Sequence, residues 1–186
     1  MNQILKRLKS LFTQPEPCAA RLYAAIVAQA RRPAFYRDMG VPDTVMGRFA
    51  MVALHVILAV ERLRAQGPQG EDTAAEELWR DLQEVFFSDM DANMREMGVS
   101  DLGVPKRMRK LGELYFGQAR AYLDALAADD AQALRAALAR NIFHDPDAPG
   151  AEALAAYVQR LRACLRAHAP DMLRAGEIDW PHPYEA

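Results

Sequence analysis

The 186-residue chain contains only two cysteines, Cys18 and Cys164, and they lie far apart in the sequence. No Cys-x-x-Cys pair is present, which excludes the common zinc-ribbon and thioredoxin-type motifs. The four histidines show no His-Glu-x-x-His pattern and no other zinc-binding spacing. We therefore expect no metal site and no cofactor. Two reduced thiols are the simplest interpretation of the cysteines, and a disulfide between them is the alternative.

Catalytic motifs are also missing from the sequence. Ser100 stands in the wrong frame for a Gly-x-Ser-x-Gly elbow, and Gly98 and Gly103 form neither a dinucleotide-binding nor a phosphate-binding loop. No nucleophile has a convincing general base nearby. The longest apolar run, residues 49–60, is too short to cross a bilayer and contains a histidine. The sequence thus predicts no catalytic residues and gives no positive evidence for catalysis, and an enzyme stays open as the weaker alternative.

Residues with high β propensity are sparse, and no segment alternates apolar and polar residues with period two. Ala, Leu, Arg and Glu dominate the composition, which favours helix. Hydrophobic residues make up 51% of the chain, enough for one domain with a core. The net charge of −2 gives the chain as a whole no attraction for DNA. We predict an all-α fold, a single-domain irregular helical bundle.

The apolar periodicity predicts a central helix that begins after Asp43 or Thr44 and continues to Gln66. This helix is apolar on nearly every side, as is typical of a helix in the middle of a bundle. A short helical turn ended by Gly40 precedes it. Further helices are predicted for residues 16–31, 73–97, 105–126, 130–143 and 151–167, with Gly98 ending the second of these and Asp129 or Asp130 capping the fourth.

The pattern of residues 1–12 predicts a basic amphipathic helix. It does not match a signal peptide, because a long apolar stretch and a cleavage site are missing. Such a helix can lie on an anionic membrane, and packing against the domain is the alternative. We divide the chain into an N-terminal helical segment, residues 1–32, a helical domain, residues 33–169, and an extended C-terminal tail, residues 170–186. No internal repeat is present.

Asp89, Asp91 and Asn93 alternate like the first three ligands of an EF-hand calcium loop. That loop also needs Gly at its sixth position and Glu at its twelfth, where this chain has Met94 and Ser100. A helix would turn the two aspartates about 200° apart around its axis, so they could not share one ion. The pattern therefore predicts an acidic helix surface and no calcium site.

Charge is distributed unevenly between residues 71–101 and residues 102–122. Residues 71–101 carry ten acidic residues and two arginines, a balance of −8, whereas residues 102–122 carry five bases and one acid, a balance of +4. Four cations lie within residues 106–110, at a predicted helix start, where they oppose the helix dipole. Ion pairs with the acidic helix would offset that cost internally. Anionic lipid, RNA or an acidic partner would offset it externally.

Four of the nine methionines lie close together in the sequence, at Met90, Met94, Met97 and Met108. Methionine adapts its shape, so such a group suits a surface that receives varied apolar partners. Ordinary core filling is the alternative. His55 lies inside the apolar central helix, where it could ligate haem, but a hydrogen-bonded core histidine is the simpler interpretation.

Two blocks of the sequence, "FYRDMGVPDTVMGRFAMVALHVILAVERLR" and "FFSDMDANMREMGVSDLGVPKRMRKLGELYFGQARAYLDAL", resemble the ubiquinol–cytochrome c chaperone family. The likeness covers about residues 33–169. It implies a helical, non-enzymatic protein that binds newly made cytochrome b and promotes assembly of the cytochrome bc complex. The mitochondrial member also works with a small partner protein and docks on the ribosome, and the resemblance supports these two roles less than it supports client binding. A helical haem-binding or haem-delivery protein using His55 is the alternative function.

The resemblance and the charges together predict the site residues. Arg95, Glu96 and Asp101 are predicted to form an internal network that fixes the loop after the acidic helix, since an arginine can hold a carboxylate with two bonds. The absence of a long targeting extension predicts a bacterial protein, cytoplasmic and peripheral at the cytoplasmic face of the inner membrane. The residues predicted to face the client are Asp89, Asp91, Met94, Lys106, Arg107 and Met108.

Overall fold

The computed structural model describes residues 17–65 and 73–184, and over these residues the chain is all-α without strands. The predicted helix over residues 1–12 and the predicted end of the central helix at Gln66 lie outside this part of the chain. The helices are α1 (Pro17–Ala30), α2 (Pro33–Arg37), α3 (Val45–Arg64), α4 (Thr73–Glu96), α5 (Val104–Ala127), α6 (Ala131–Leu138), α7 (Gly150–Ala167) and α8 (Pro170–Ala175).

The predicted helix boundaries are confirmed to within a few residues, with one difference in geometry. The helix predicted over residues 130–143 is α-helical only as far as Leu138 and then continues as a π-helical turn, Ala139–Phe143. Asp130 caps it by accepting a hydrogen bond from the Ala133 N–H at 2.8 Å. His144 closes the turn in the left-handed region with φ 57°. The spacing of apolar residues does not distinguish a π-helical last turn from an α-helical one.

Helix α3 is the centre of the fold, and all of its residues from Phe49 to Val60 are buried. It packs against α1, α4, α5 and α7, which surround it. Thr44 caps its start by accepting a hydrogen bond from the Gly47 N–H at 3.0 Å. The other predicted cap, Asp43, instead forms an ion pair with Arg48 at 2.6 Å.

Two glycines allow close backbone approaches around α2. A Cβ atom on Gly47, in the first turn of α3, would lie 1.9 Å from the Pro42 carbonyl oxygen. A Cβ atom on Gly150, the first residue of α7, would lie 1.7 Å from the Met39 carbonyl oxygen. Any other residue at either position would force the backbone apart. These contacts hold the starts of α3 and α7 against the segment that follows α2.

The N-terminal and C-terminal parts of the described chain belong to the same core as its middle. Leu22 and Ile26 of α1 are fully buried, and Leu173 and Ile178 cover the core from the C-terminal side. The Gln29 side-chain amide donates to the Pro181 carbonyl oxygen at 2.9 Å, which fixes the tail against α1. Residues 17–32 and 170–184 therefore contribute to the stability of the whole bundle.

A shielded ion-pair network joins α3 to α7. Glu61 Oε1 accepts hydrogen bonds from Arg162 at 2.8 Å and from Arg166 at 2.9 Å. The side chains of Glu61 and Arg162 are only 15% and 19% exposed. Arg162 also donates to the Leu126 carbonyl oxygen at 2.9 Å, which adds the end of α5 to the network. Little water reaches Glu61 and Arg162, so these two charges depend on one another, whereas the Arg166 side chain is 51% exposed.

We predict that Glu61→Ala lowers the free energy of unfolding by about 2–4 kcal/mol, because it leaves the Arg162 guanidinium nearly buried without its carboxylate. Glu113→Ala is the matched control, since Glu113 and Arg109 are both exposed and their charged atoms are 4.0 Å apart. We expect the control to cost less than about 1 kcal/mol. Urea denaturation of both variants measures the difference, and equal losses would contradict the account.

Candidate functional site: a methionine-lined groove

A groove of about 260 Å³ opens between α1, the first turns of α3 and the C-terminal half of α4. Met90 and Met94 lie one turn apart on α4, and Met97 follows directly after the helix, so all three reach the same side. The first two residues of α3 form the opposite edge. The apolar lining consists of Val45, Met46, Phe49, Val52, Met90, Met94, Met97 and Leu111.

The floor of the groove is buried, and its edges are not. Met94 and Phe49 belong to the core, whereas Met46 is 47% exposed and Met97 is 56% exposed. Core filling therefore accounts for Met94 but not for Met46 or Met97. Apolar side chains at the edge of an open groove gain free energy when a partner covers them. Unbranched methionines can follow partners of different shape.

Polar groups border the groove on two sides. Asp89 on α4 accepts a hydrogen bond from the Tyr23 hydroxyl at 2.7 Å. Burial and this carboxylate both raise the pKa of Tyr23, so the phenol is neutral and donates. Arg48, whose charge is shared with Asp43, borders the groove from α3, and Arg31, directly after α1, lies near Tyr23. The groove thus has an apolar floor and a charged border.

The six residues predicted to face a client do not all lie at this groove. Asp89 and Met94 line it, whereas the other four are absent from its walls. Met108 packs against the core, and Asp91 accepts a hydrogen bond from Arg95 at 2.6 Å. Asp89 and Asp91 therefore have different partners, as their angular separation around the helix requires.

Sequence reasoning missed the parts of the groove that come from α1 and α3. Tyr23, Arg31 and Met46 are more than forty residues away from the methionines of α4, and the groove exists only because the helices pack together. One signal was present for Met46. Met46 lies in the first turn of the central helix, which extends beyond the helices that cover its middle.

Arg95 is the residue that fixes the loop after α4, but the network is not internal. Its guanidinium bonds Asp91 and also Asp101, so the predicted pairing with Asp101 is present. Glu96 is exposed and forms no ion pair with any residue in the described ranges. The Arg95 side chain is 48% exposed. The expectation of a buried network is therefore wrong, and surface pairs of this kind contribute about 0–1 kcal/mol.

The cations at the start of α5 are exposed, and they do not pair with the acidic helix. Within residues 17–65 and 73–184, only Arg109 of this group approaches a carboxylate, and that is Glu113 on α5 itself, at 4.0 Å. Lys106, Arg107 and Lys110 face solvent. The internal explanation for this positive charge is therefore wrong for the described residues.

Three comparisons with known proteins bear on this arrangement. The sequence profile of the family described as "Ubiquinol-cytochrome C chaperone" matches residues 37–180. The chain belongs to this family. The crystal structure of the Cbp3 homolog from Brucella abortus is similar, with a TM-score of 0.79 and 43% sequence identity, covering 98% of each chain. The matched stretch contains the groove walls of α3, α4 and α5 but not that of α1.

Curated relatives carry a consistent name. The chain is 26% identical over 165 residues to the ubiquinol-cytochrome-c reductase complex assembly factor 1 of Xenopus laevis, which covers 87% of this chain and 80% of that protein. The corresponding proteins of Mus musculus and Homo sapiens are also 26% identical. The chain spans only 54% and 53% of their lengths. The mouse and human relatives therefore extend well beyond the matched region.

His55 is placed as a structural residue and not as a haem ligand. Its side chain is fully buried, and Nδ1 donates to the Met51 carbonyl oxygen at 2.7 Å. Nε2 accepts from the Tyr157 hydroxyl at 2.7 Å, and the Gln29 amide donates to that same hydroxyl at 3.0 Å. Both ring nitrogens are therefore engaged, and a haem iron would have to displace Tyr157. This geometry argues against the alternative function.

Three further observations concern the described residues. No group of three or more His, Cys, Asp or Glu side chains there is arranged to hold a metal ion. Cys18 and Cys164 are both free thiols. None of the described helices is long and apolar enough to cross a membrane.

Burial lowers the pKa of His55 from 6.5 to about 4, because the charged ring would lose its hydration. The unfolded chain binds this proton near pH 6.5 and the folded chain does not, so the stabilisation is complete above pH 6.5 and is lost as the pH falls toward 4. We predict that this group alone lowers the free energy of unfolding by roughly 2 kcal/mol between pH 7 and pH 5.

The measurement is chemical denaturation of the parent and of His55→Gln between pH 5 and pH 7. The variant keeps a polar side chain of similar size that does not titrate. We expect its free energy of unfolding to vary less with pH than that of the parent, by about the same 2 kcal/mol. Parallel pH profiles for the two proteins would show that the buried ring does not control this dependence.

Proposed function

We propose that this chain is an assembly chaperone for ubiquinol–cytochrome c reductase, that its client is newly made cytochrome b, and that the methionine-lined groove receives an apolar segment of that client. The single observation that carries the proposal is the groove itself, an open apolar surface with adaptable walls on a member of a chaperone family. The names of the curated relatives, which describe assembly factors for the same complex, support the choice of complex.

The groove suits temporary binding. Covering a side chain such as Met46 or Met97 contributes about 1.5–3 kcal/mol when burial is complete, and less for these half-exposed residues. Association itself costs roughly 4–15 kcal/mol of lost freedom. A few such contacts give a weak complex that forms with several apolar shapes and dissociates readily. A chaperone must release its client to the assembling complex, so weak and adaptable contacts fit the role.

The charged border supplies orientation. In the proposal, Asp89 and Met94 contact the client from α4, and Met46 contacts it from α3. Asp89 is held in place by Tyr23, so its carboxylate offers a fixed negative charge beside the apolar floor. Arg48 lies on the opposite side with Asp43. A client segment with charges at its ends would bind in one direction in preference to the other.

We also propose where in the cell this protein acts. Cytochrome b is a membrane protein, so its chaperone must meet the apolar segments where they emerge, which for a bacterial protein is the cytoplasmic face of the inner membrane. The predicted amphipathic helix over residues 1–12, outside the described residues, carries three bases and would give peripheral binding to anionic lipid. Catalysis has no part in this account.

We predict that Met46→Asp weakens capture of cytochrome b at least tenfold and lowers the amount of assembled reductase. The change places a carboxylate at the apolar edge of the groove, where covering it costs free energy. The fold should be kept, because Met46 is 47% exposed and an acidic residue is favourable in the first turn of a helix. The measurement is recovery of cytochrome b with the purified variant, together with native electrophoresis of membranes.

Met172→Asp is the matched control, since Met172 is 38% exposed on α8 and is not part of the groove lining. We expect this variant to behave like the parent in both measurements. Normal assembly in a strain that carries Met46→Asp as its only copy would contradict the role of the groove. Normal assembly in a strain that lacks the gene would contradict the proposed function as a whole.

A further inference from the structure

We propose that the corner between α4 and α5 is a docking surface for an anionic lipid bilayer. In this proposal Leu102 enters the headgroup region, and the cations in the first two turns of α5 bind lipid phosphates. We call this corner, formed by residues 97–110, the α4–α5 corner.

Leu102 is the apolar part of the surface. It lies in the loop between α4 and α5, and its side chain is 95% exposed, more than that of any other large hydrophobic residue in the described chain. Single exposed leucines are common at protein surfaces and need no explanation by themselves. This one stands at the tip of a helical corner, directly before a group of cations. That combination is typical of peripheral membrane contacts.

The cations form the second part of the surface. Residues 97–110 contain four bases and one acid, a balance of +3, in a chain whose net charge is −2. The acid, Asp101, pairs with Arg95 on α4. Lys106, Arg107 and Lys110 are exposed and form no ion pair with a described residue. The fold gains nothing from positive charge at a helix start, because it opposes the helix dipole.

The spacing of these groups matches a bilayer surface. Lys106 and Lys110 are separated by one helical turn, and the whole group extends about 9 Å along the axis from the start of α5. Leu102 precedes that start by two residues. Lys106 and Lys110 therefore share one face of α5, and all of these groups lie within roughly one Debye length of the start of the helix at physiological salt. A bilayer offers phosphates at its surface and an apolar layer beneath them.

Other anionic partners fit this surface less well. RNA recognition by unpaired bases uses aromatic side chains for stacking, and the corner presents Leu102 and Met97 instead. An acidic protein would satisfy the cations, but it would need a pocket placed to cover one projecting leucine. Anionic lipid satisfies both features without special geometry.

Docking through the α4–α5 corner has a consequence for the groove. Met97 lines the groove and lies five residues before Leu102, so the open end formed by α4 would face the bilayer. An apolar segment at the membrane could then reach the groove without crossing bulk water. The membrane contact itself does not depend on the identity of the client, and it can be tested without one.

The experiment uses the full chain and vesicles of phosphatidylcholine with or without one-third phosphatidylglycerol, at low salt. Binding is measured by flotation over a range of lipid concentrations. Each base near an anionic surface strengthens binding about fivefold, so Lys106→Gln with Lys110→Gln should weaken it about 25-fold. Leu102→Ser should weaken it at least threefold. Leu114→Ser with Arg120→Gln, on the same helix, is the matched control and should change binding less than twofold.

Residues 1–12 are the competing source of vesicle binding, so Leu8→Ser with Leu11→Ser is tested in parallel. Loss of binding in the corner variants, with or without loss in the N-terminal variant, supports the proposal if melting temperatures are unchanged. Unchanged binding in the corner variants overturns it. So does equal binding of the parent to both kinds of vesicle, because the contact would then not be anionic. None of these results depends on cytochrome b, so the proposal can fail while the proposed function stands.

Discussion

The structure depends on the burial of α3 on every side. A helix surrounded by other helices contributes much apolar area, but each polar group on it must find a partner inside the protein. His55 is the most demanding of these groups, and it is satisfied by its own helix through Met51 and by α7 through Tyr157. Tyr157 in turn bonds Gln29 on α1, and Gln29 holds the tail at Pro181. One chain of hydrogen bonds therefore connects the central helix to three parts of its surroundings.

The groove follows from the same arrangement. The surrounding helices cover α3 along its middle, but its first residues, Val45 and Met46, emerge beyond them. Helix α4 also ends near this point, and Met97 and the loop after it are left without a neighbour to cover them. The apolar opening thus forms at the end of the bundle where the central helix is no longer covered by its neighbours. Asp89 with Tyr23 and Arg48 with Asp43 place charged groups at its border.

Much of the fold could be predicted from the sequence because it is encoded locally. Apolar periodicity, the cap at Thr44, and the left-handed glycines Gly40 and Gly98 define where helices begin and end. The interior role of His55 could also be predicted, since it lies among apolar residues on every face of its helix. Helix lengths and the identity of the central helix needed no knowledge of packing.

The candidate site could be predicted only in part, because it depends on how helices cross. Charge alone left ion pairs with the acidic helix and an external anionic partner both open, and the cations of α5 form no ion pair with that helix among the described residues. Arg95 pairs with Asp101 as predicted, but the pair lies at the surface, where water competes for the same hydrogen bonds. The contribution of Met46 required the packing of α3 against α4. Contacts between residues far apart in the sequence leave no local pattern, and they form only when the helices pack.

The central claim is that an apolar segment of cytochrome b lies in the methionine-lined groove. The most direct test places a photo-crosslinking amino acid at one position at a time in living cells, in place of Met46, Met172 or Phe116. All three side chains are exposed, so the probe should be tolerated at each position. The account predicts that cytochrome b is captured from position 46 and much less from positions 172 and 116. Equal capture from all three positions, or capture from position 116 alone, would contradict it.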